Sequence, residues 1–206
     1  MQSKDHWEQV YSTKATSGVS WFQKHAQQSV QLIRQTGLSW GAGIIDVGGG
    51  ASTLVDDLLD EGYTNVTVLD LSEAALSASK LRLDQRADGV SWLVGDITRV
   101  ELPRHAYDVW HDRAVFHFLT SKAEREAYVQ AVLRAVKPGG YVIVATFAED
   151  GPEKCSGLVV KQYSAAALTR EFELGFEKIK CIQDDHITPA GVVQHFTFCS
   201  FKKKNN

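Results

Sequence analysis

A chain of 206 residues that is 44% hydrophobic is long enough to bury one core and short for two, so a single domain spanning 1–206 is expected. Its net charge of -3 gives no global attraction to phosphate backbones or anionic lipid, which leaves nucleic acid and membrane outside the expected partners. The opening Met1-Gln2-Ser3-Lys4-Asp5-His6 lacks the apolar stretch of a signal peptide, and the longest apolar-rich run, around Tyr141 to Ala148, is too short to cross a bilayer.

In chain order, two amphipathic segments come first: Lys4 to Tyr11, with Trp7, Val10 and Tyr11 on one side, and Phe22 to Thr36, with Phe22, Ala26, Val30 and Ile33. They read as a helical cap formed by residues 1–40, ahead of a core over 41–206. From Gly43 onward, short β-branched runs alternate with amphipathic stretches, the pattern of βαβ units. The first strand is Gly43 to Val47, and Ser52 is positioned to cap a helix burying Leu54, Val55, Leu58 and Leu59 before Gly62. Val66 to Asp70 is the second strand, Ser72 caps a helix running to about Ala87, and Val90 to Val94 is the third.

Tyr107 to His111 reads as the fourth strand. Ser121 and Glu124 have the spacing of a capping box for a helix burying Tyr128, Val129, Val132, Leu133 and Val136, which Lys137-Pro138-Gly139-Gly140 stops. Tyr141 to Phe147 is the fifth strand, a loop follows, and a helix spans Ser164 to Phe172. Glu177 to Gln183 and Val193 to Phe201 then come without an intervening helix, so they pair antiparallel. The expected fold is α/β: a Rossmann-like, doubly wound seven-stranded sheet, mostly parallel, with an antiparallel strand near the C-terminal end and helices on both faces. Cys155, Cys181 and Cys199 are odd in number and widely spaced, so they specify no disulfide framework or zinc motif; Cys181 and Cys199 read as packing residues, and a cytoplasmic or other reducing compartment is the simplest expectation.

Ligands of open α/β sheets bind beyond the carboxyl ends of the strands. There, Asp46-Val47-Gly48-Gly49-Gly50 turns the first strand sharply into a helix without side chains in the way. Asp70 closes the second strand at the distance from the turn where an acid accepts hydrogen bonds from both ribose hydroxyls of an adenosine, with Leu71 beside it. Asp96 and Ile97 follow the third strand, a carboxylate for an exocyclic adenine amine and an apolar contact. A dinucleotide site also has such features, but Thr53 stands where its fingerprint needs a small residue, and Asp46 would repel a pyrophosphate while suiting the ammonium of a methionine. S-adenosylmethionine (SAM) fits both facts better.

Asp46-Val47-Gly48-Gly49-Gly50, Asp70, Asp96 and Pro138-Gly139-Gly140-Tyr141 resemble the ordered motifs of the class I SAM-dependent methyltransferases, over about residues 43–147. The resemblance implies SAM as cofactor, S-adenosylhomocysteine as product, and a small-molecule or protein side-chain acceptor. Trp7, Tyr11, Trp21 and Phe22 also resemble the opening of small lysine methyltransferases acting on translation factors, although the acidic segment expected after the fourth strand is replaced by His111-Asp112-Arg113-Ala114-Val115-Phe116-His117-Phe118.

That segment faces the reacting methyl in such an architecture. Asp112 and Arg113 are expected to shape the site, and His111 or His117 to move a proton where the acceptor carries one, against the alternative that a histidine in so apolar a stretch hydrogen-bonds within the core. Trp7, Tyr11 and Trp21 read either as an aromatic lid or as cap packing. Cys155 lies near the expected mouth, and no histidine spacing suggests a metal. A small-molecule acceptor is favoured, because little chain remains for docking a macromolecule. The competing functions are a SAM-binding module without turnover and an NAD(P)-dependent oxidoreductase, the latter lacking a Tyr-x-x-x-Lys pair in a suitable helix. Neither the acceptor nor the oligomeric state is specified by sequence.

Overall fold

The computed structural model describes residues 4–205; the first three residues of the expected cap and the last of the core lie outside the described residues. Its elements are α1 (Lys4–Thr13), α2 (Gln27–Arg34), β1 (Ile44–Val47), α3 (Leu54–Asp60), β2 (Val66–Asp70), α4 (Glu73–Leu83), β3 (Val90–Val94), β4 (Tyr107–Arg113), α5 (Lys122–Ala135), β5 (Val136–Phe147), β6 (Lys154–Cys155), β7 (Leu158–Val159), α6 (Ala165–Phe172), β8 (Phe176–Ile187) and β9 (Val193–Lys203). Seven strands form one sheet in the order β3-β2-β1-β4-β5-β9-β8. The first five run parallel, and β9 alone is reversed, pairing antiparallel with β5 and β8.

Alternation along the strands divides the core in two. Ile45, Val47, Trp110, Val142 and Val144 pack with Tyr128 and Val132 of α5 and Phe172 of α6 on one face. Ile44, Val68, Val109, Ile143 and Ala145 pack with Ile33 of α2, Leu54 and Leu58 of α3 and Leu76 of α4 on the other. Helices thus cover both faces, as parallel strands buried on both sides require. The central strands reverse their crossover direction between β1 and β4, and the crevice opens there.

Local chemistry accounts for the helix starts. Ser121 and Glu124 form both halves of the capping box, while Ser72 and Ser164 accept from the backbone at α4 and α6. At α3 the expected cap is displaced: Thr53 is the capping position without a side-chain bond, and the Ser52 hydroxyl instead accepts from the Leu54 N–H at 3.1 Å. α2 begins later than the apolar periodicity suggests, because the Ala26 N–H is held by the Asp57 carboxylate at 2.6 Å. α4 stops at Leu83 and a 3-10 turn continues to Gly89. β6 and β7 form a small hairpin in what reads as loop, and β8 is longer than its apolar run because pairing with β9 continues to Ile187↔Val193.

The cysteine expectation is corrected. Cys181 and Cys199 sit directly opposite each other on β8 and β9 and are joined by a disulfide, leaving Cys155 free and buried. The bond depends on strand register, which a separation of 18 residues does not reveal. No described helix is long and apolar enough to cross a membrane.

Candidate functional site

At the carboxyl ends of β1, β2, β3 and β4 lies a cleft of about 760 Å³, counting the space open to solvent at its mouth. Val47 and Gly48 from β1, Asp70 and Leu71 from β2, and Asp96 and Ile97 after β3 line it, together with Trp7, Tyr11, Trp21, Arg113, Val115, Phe118, Leu119 and Cys155. A smaller cavity adjoins it behind the turn, lined by Asp46, Gly48, Gly49, His111, Arg113 and Trp21 among others.

The glycine turn is shaped by protein neighbours. Gly48 has φ +71, and a Cβ there would come within 2.0 Å of Val115 Cγ2. A Cβ on Gly49 would meet Asp46 Oδ2 at 2.3 Å, and one on Gly50 would meet Asp70 Oδ2 at 2.5 Å. Gly49 therefore does not tolerate a bulkier residue in this arrangement, and Gly50 sits behind the turn, where its carbonyl accepts from the Ser79 hydroxyl at 2.6 Å. Val115, which sequence reasoning did not single out, is aimed at Gly48 by the left-handed Ala114 at φ 72.

The three acids sit in different environments. The Asp70 carboxylate accepts from the Ser72 N–H at 2.8 Å, yet burial, reinforced by Asp46, raises its pKa to about 7. Asp96 accepts from both the N–H and the hydroxyl of Thr98, at 2.8 and 2.6 Å, and its other oxygen is 3.6 Å from Arg99. Asp46 Oδ1 lies 2.7 Å from His111 Nδ1, whose Nε2 is 2.8 Å from the Ser29 hydroxyl. Asp46 Oδ2 is buried and has no partner.

The end of β4 departs from expectation. The strand continues past His111 to Arg113, so Asp112 and Arg113 are strand residues rather than loop residues. Register pairs Asp46 with His111 and Val47 with Asp112, which buries both side chains inside the sheet. His111 lines the rear cavity between Asp46 and Ser29, outside the main cleft. His117 is fully buried: its Nδ1 accepts from the Phe147 N–H at 3.3 Å, and burial followed by Arg113 lowers its pKa to about 3. The two histidines are therefore not placed to take a proton from a molecule in the cleft.

Asp112 is likewise internal. It accepts from the Val115 and Phe116 N–H groups at 2.8 and 3.0 Å and from the Tyr128 hydroxyl at 2.5 Å, which fixes the turn that carries Val115. Burial raises its pKa to about 7. Arg113 alone of the four reaches the main cleft. Its Nη1 donates to the Trp21 carbonyl at 3.1 Å, its guanidinium lies 4.6 Å from the Phe196 ring centroid, and its Nη2 is buried without a partner.

Residues 44–140 match the family model described as a methyltransferase domain. The chain is 22% identical over 158 residues to EEF1A lysine methyltransferase 2 of Danio rerio, covering 70% of this chain and 68% of that one. It is 30% identical over 127 residues to the ubiquinone/menaquinone biosynthesis C-methyltransferase UbiE of Roseobacter denitrificans, covering 58% of this chain and half of that enzyme's length. The fold superimposes with a TM-score of 0.72 and 16% identity on Burkholderia thailandensis 1,6-didemethyltoxoflavin-N1-methyltransferase with bound S-adenosylhomocysteine, over 98% of this chain and 84% of that one. Residues 44–140 thus carry a methyltransferase domain, and the chain shares its fold with an enzyme that binds the demethylated product of S-adenosylmethionine.

The residues fit that cofactor. The unpartnered Asp46 Oδ2 beside Gly49 is a buried anionic atom in need of a donor, and an ammonium supplies one. Asp70 and Asp96, at the ends of the adjacent strands β2 and β3, line the same cleft.

Across the cleft lies α1. Trp7 packs on Tyr11, Trp21 and Phe118 at centroid distances of 6.3, 5.8 and 5.3 Å, and Trp21 Nε1 donates to the Tyr11 hydroxyl at 3.1 Å, so these aromatics pack on one another and line the cleft as a roof. A residue the sequence did not flag fastens this roof. Glu8 accepts from the Glu73 and Ala74 N–H groups at 2.7 and 3.0 Å and from the Ser72 hydroxyl at 3.1 Å, a carboxylate from another helix seated on the first turn of α4. Partial burial opposes its ionisation, but these donors outweigh it and keep the carboxyl below its ordinary range. A capping acid normally comes from the same chain segment, so one located 65 residues away gives no sequence signal.

Proposed function

We propose that residues 1–206 form one methyltransferase domain, with 41–206 holding SAM and 1–40 forming the cap, and that its acceptor is a small molecule. In this reading Asp70 holds the ribose and Asp96 and Ile97 receive the adenine. Val47, Gly48 and Leu71 line the path between them, and Asp46, held by His111, takes the methionine ammonium. Gly49 and Gly50 are required by close packing behind the turn. The observation that carries the acceptor class is the roof: Trp7, Tyr11 and Trp21 close over a largely apolar cleft, which suits a molecule that can be enclosed better than a folded protein surface.

When bound, SAM supplies an electrophilic methyl group that needs no further activation. The chain's part is to hold a nucleophile in line with it and exclude water. Arg113 and the aromatic roof are the residues available to position that nucleophile, and Asp112 acts indirectly by fixing the Val115 turn. Calorimetric titration with SAM and S-adenosylhomocysteine, with NAD as control, tests the cofactor side: micromolar binding of both SAM and S-adenosylhomocysteine but not NAD is expected, and a folded protein that binds neither would reject it. Incubating the protein with radiolabelled SAM and either small-molecule or protein fractions of a cell extract tests the acceptor side. Label confined to protein would reject a small-molecule acceptor.

A further inference from the structure

Arg113 is a cation without a counterion. Among the described residues no carboxylate pairs with it; Asp184 and Asp46 act on it only through space, and its Nη2 has no hydrogen-bond partner. Burying such a charge is costly unless something neutralises it. The neighbouring Cys155 does not: burial pushes its thiol up to about 12, so it is neutral. Arg113 also lies away from the adenosine end. Its contacts are Trp21 from the cap and Phe196 on β9, whereas Asp70 and Asp96 follow β2 and β3 on the other side of β1.

Among the described residues the cleft also lacks a free base, away from the nucleoside end, for an acceptor that arrives with a proton. Its titratable lining is Asp70 and Asp96 at the nucleoside end, Arg113, Tyr11 and Cys155, the last two pushed up by burial, and both expected histidines stand outside it. A protonated amine such as a lysine would meet an unneutralised guanidinium and find no group to take its proton. An anionic nucleophile meets the reverse situation: it supplies the missing counterion and carries no proton to lose. Besides the residues at the nucleoside end, the cleft that Arg113 enters is lined by Trp7, Trp21, Val115, Phe118 and Leu119, so the rest of the molecule is apolar.

We infer that the methyl acceptor is a small apolar acid whose nucleophilic oxygen or sulfur enters the cleft as the anion, with Arg113 as its counterion. This rests on the SAM-dependent, small-molecule reading above. The nucleophile's lone pair forms the new bond to the methyl carbon as the carbon–sulfur bond of the sulfonium breaks, leaving that electron pair on the departing sulfur. Acceptor anion and sulfonium cation become a neutral methyl ester, ether or thioether and a neutral thioether, with no proton released.

Three probes with one indole body and different charge test this: indole-3-acetate, indole-3-acetamide and tryptamine, titrated by calorimetry or ligand-observed NMR into protein saturated with S-adenosylhomocysteine. Expected is tightest binding of the acetate, by about tenfold or more over the amide, the size of one charge-assisted hydrogen bond, and weakest binding of tryptamine. Arg113→Met should flatten the series and Arg113→Lys should keep its order, while affinity for S-adenosylhomocysteine changes less than twofold in each folded variant. Equal affinity for the three probes in the wild type, binding of none, or preference for tryptamine would overturn the inference, and these outcomes need no variant to fold. A fall in S-adenosylhomocysteine affinity in Arg113→Met matching the loss for the acetate would instead assign Arg113 to the cofactor's own carboxylate and overturn it too. Absence of S-adenosylhomocysteine binding by wild type would strike the cofactor reading itself, a failure visible before any probe is added.

Discussion

Asp70 gives the sharpest quantitative consequence. Burial places its pKa at about 7 in the ligand-free protein, so near neutrality half the molecules carry the carboxylic acid rather than the carboxylate. Only the carboxylate accepts hydrogen bonds from both ribose hydroxyls, so apparent SAM affinity should scale with the ionised fraction. That fraction is about 0.9 at pH 8 and about 0.1 at pH 6, a fall of about tenfold in affinity. The measurement is calorimetry at pH 6, 7 and 8 in buffers of different ionisation enthalpy, which also counts the fraction of a proton released on binding at pH 7. Asp70→Asn keeps the shape and removes the titration; it should bind about 1.5–3 kcal/mol more weakly at pH 8 and show a flat profile. A wild-type affinity constant from pH 6 to 8, or a slope that survives in Asp70→Asn, would refute the assignment of Asp70 to the ribose.

The same shifts have a sign for stability. Folding raises the pKa of both Asp70 and Asp112, so their contribution is fully present below their unfolded pKa near 4 and lost as pH rises through about 7; the ligand-free Tm should therefore fall between pH 5 and pH 8, measured by calorimetry, and that fall should shrink in Asp112→Asn. His111→Ala removes the partner of both Asp46 Oδ1 and the Ser29 hydroxyl; a stability loss of about 1–3 kcal/mol with weakened SAM binding is expected, and unchanged SAM affinity would remove His111 as the group that positions Asp46. Gly48→Ala should cost about 1–3 kcal/mol by thermal unfolding and abolish tight SAM binding, because its Cβ meets both an unfavourable φ and Val115; adding Val115→Ala relieves only the contact and should recover only part of the loss. Glu8→Gln should leave global stability within about 1 kcal/mol but speed amide exchange in α1 and dissociation of S-adenosylhomocysteine, whereas unaltered exchange would show that the aromatic packing alone holds the roof.

Much of this was legible in the chain because it is written locally. A strand followed by glycines, Ser72 ahead of α4, the Ser121–Glu124 box and the alternation of apolar runs each depend on residues within a few positions, so the sheet, the acids at the strand ends and the antiparallel pairing at the end could be read directly. What the sequence could not contain is which side chains register places opposite one another. Asp46 and His111 are 65 residues apart and become hydrogen-bonded only because β1 and β4 pair; the same pairing takes His111 and Asp112 out of the cleft to which proximity to a strand end had assigned them. Cys181 and Cys199 became a disulfide through the β8–β9 register. Glu8 reached α4 and Val115 closed on Gly48 only once helices and turns had docked. Local propensity therefore determined the elements and the cofactor motifs, while burial and pairing, properties of the assembled sheet alone, decided which charged groups are satisfied inside it and left Arg113 facing the cleft unpaired.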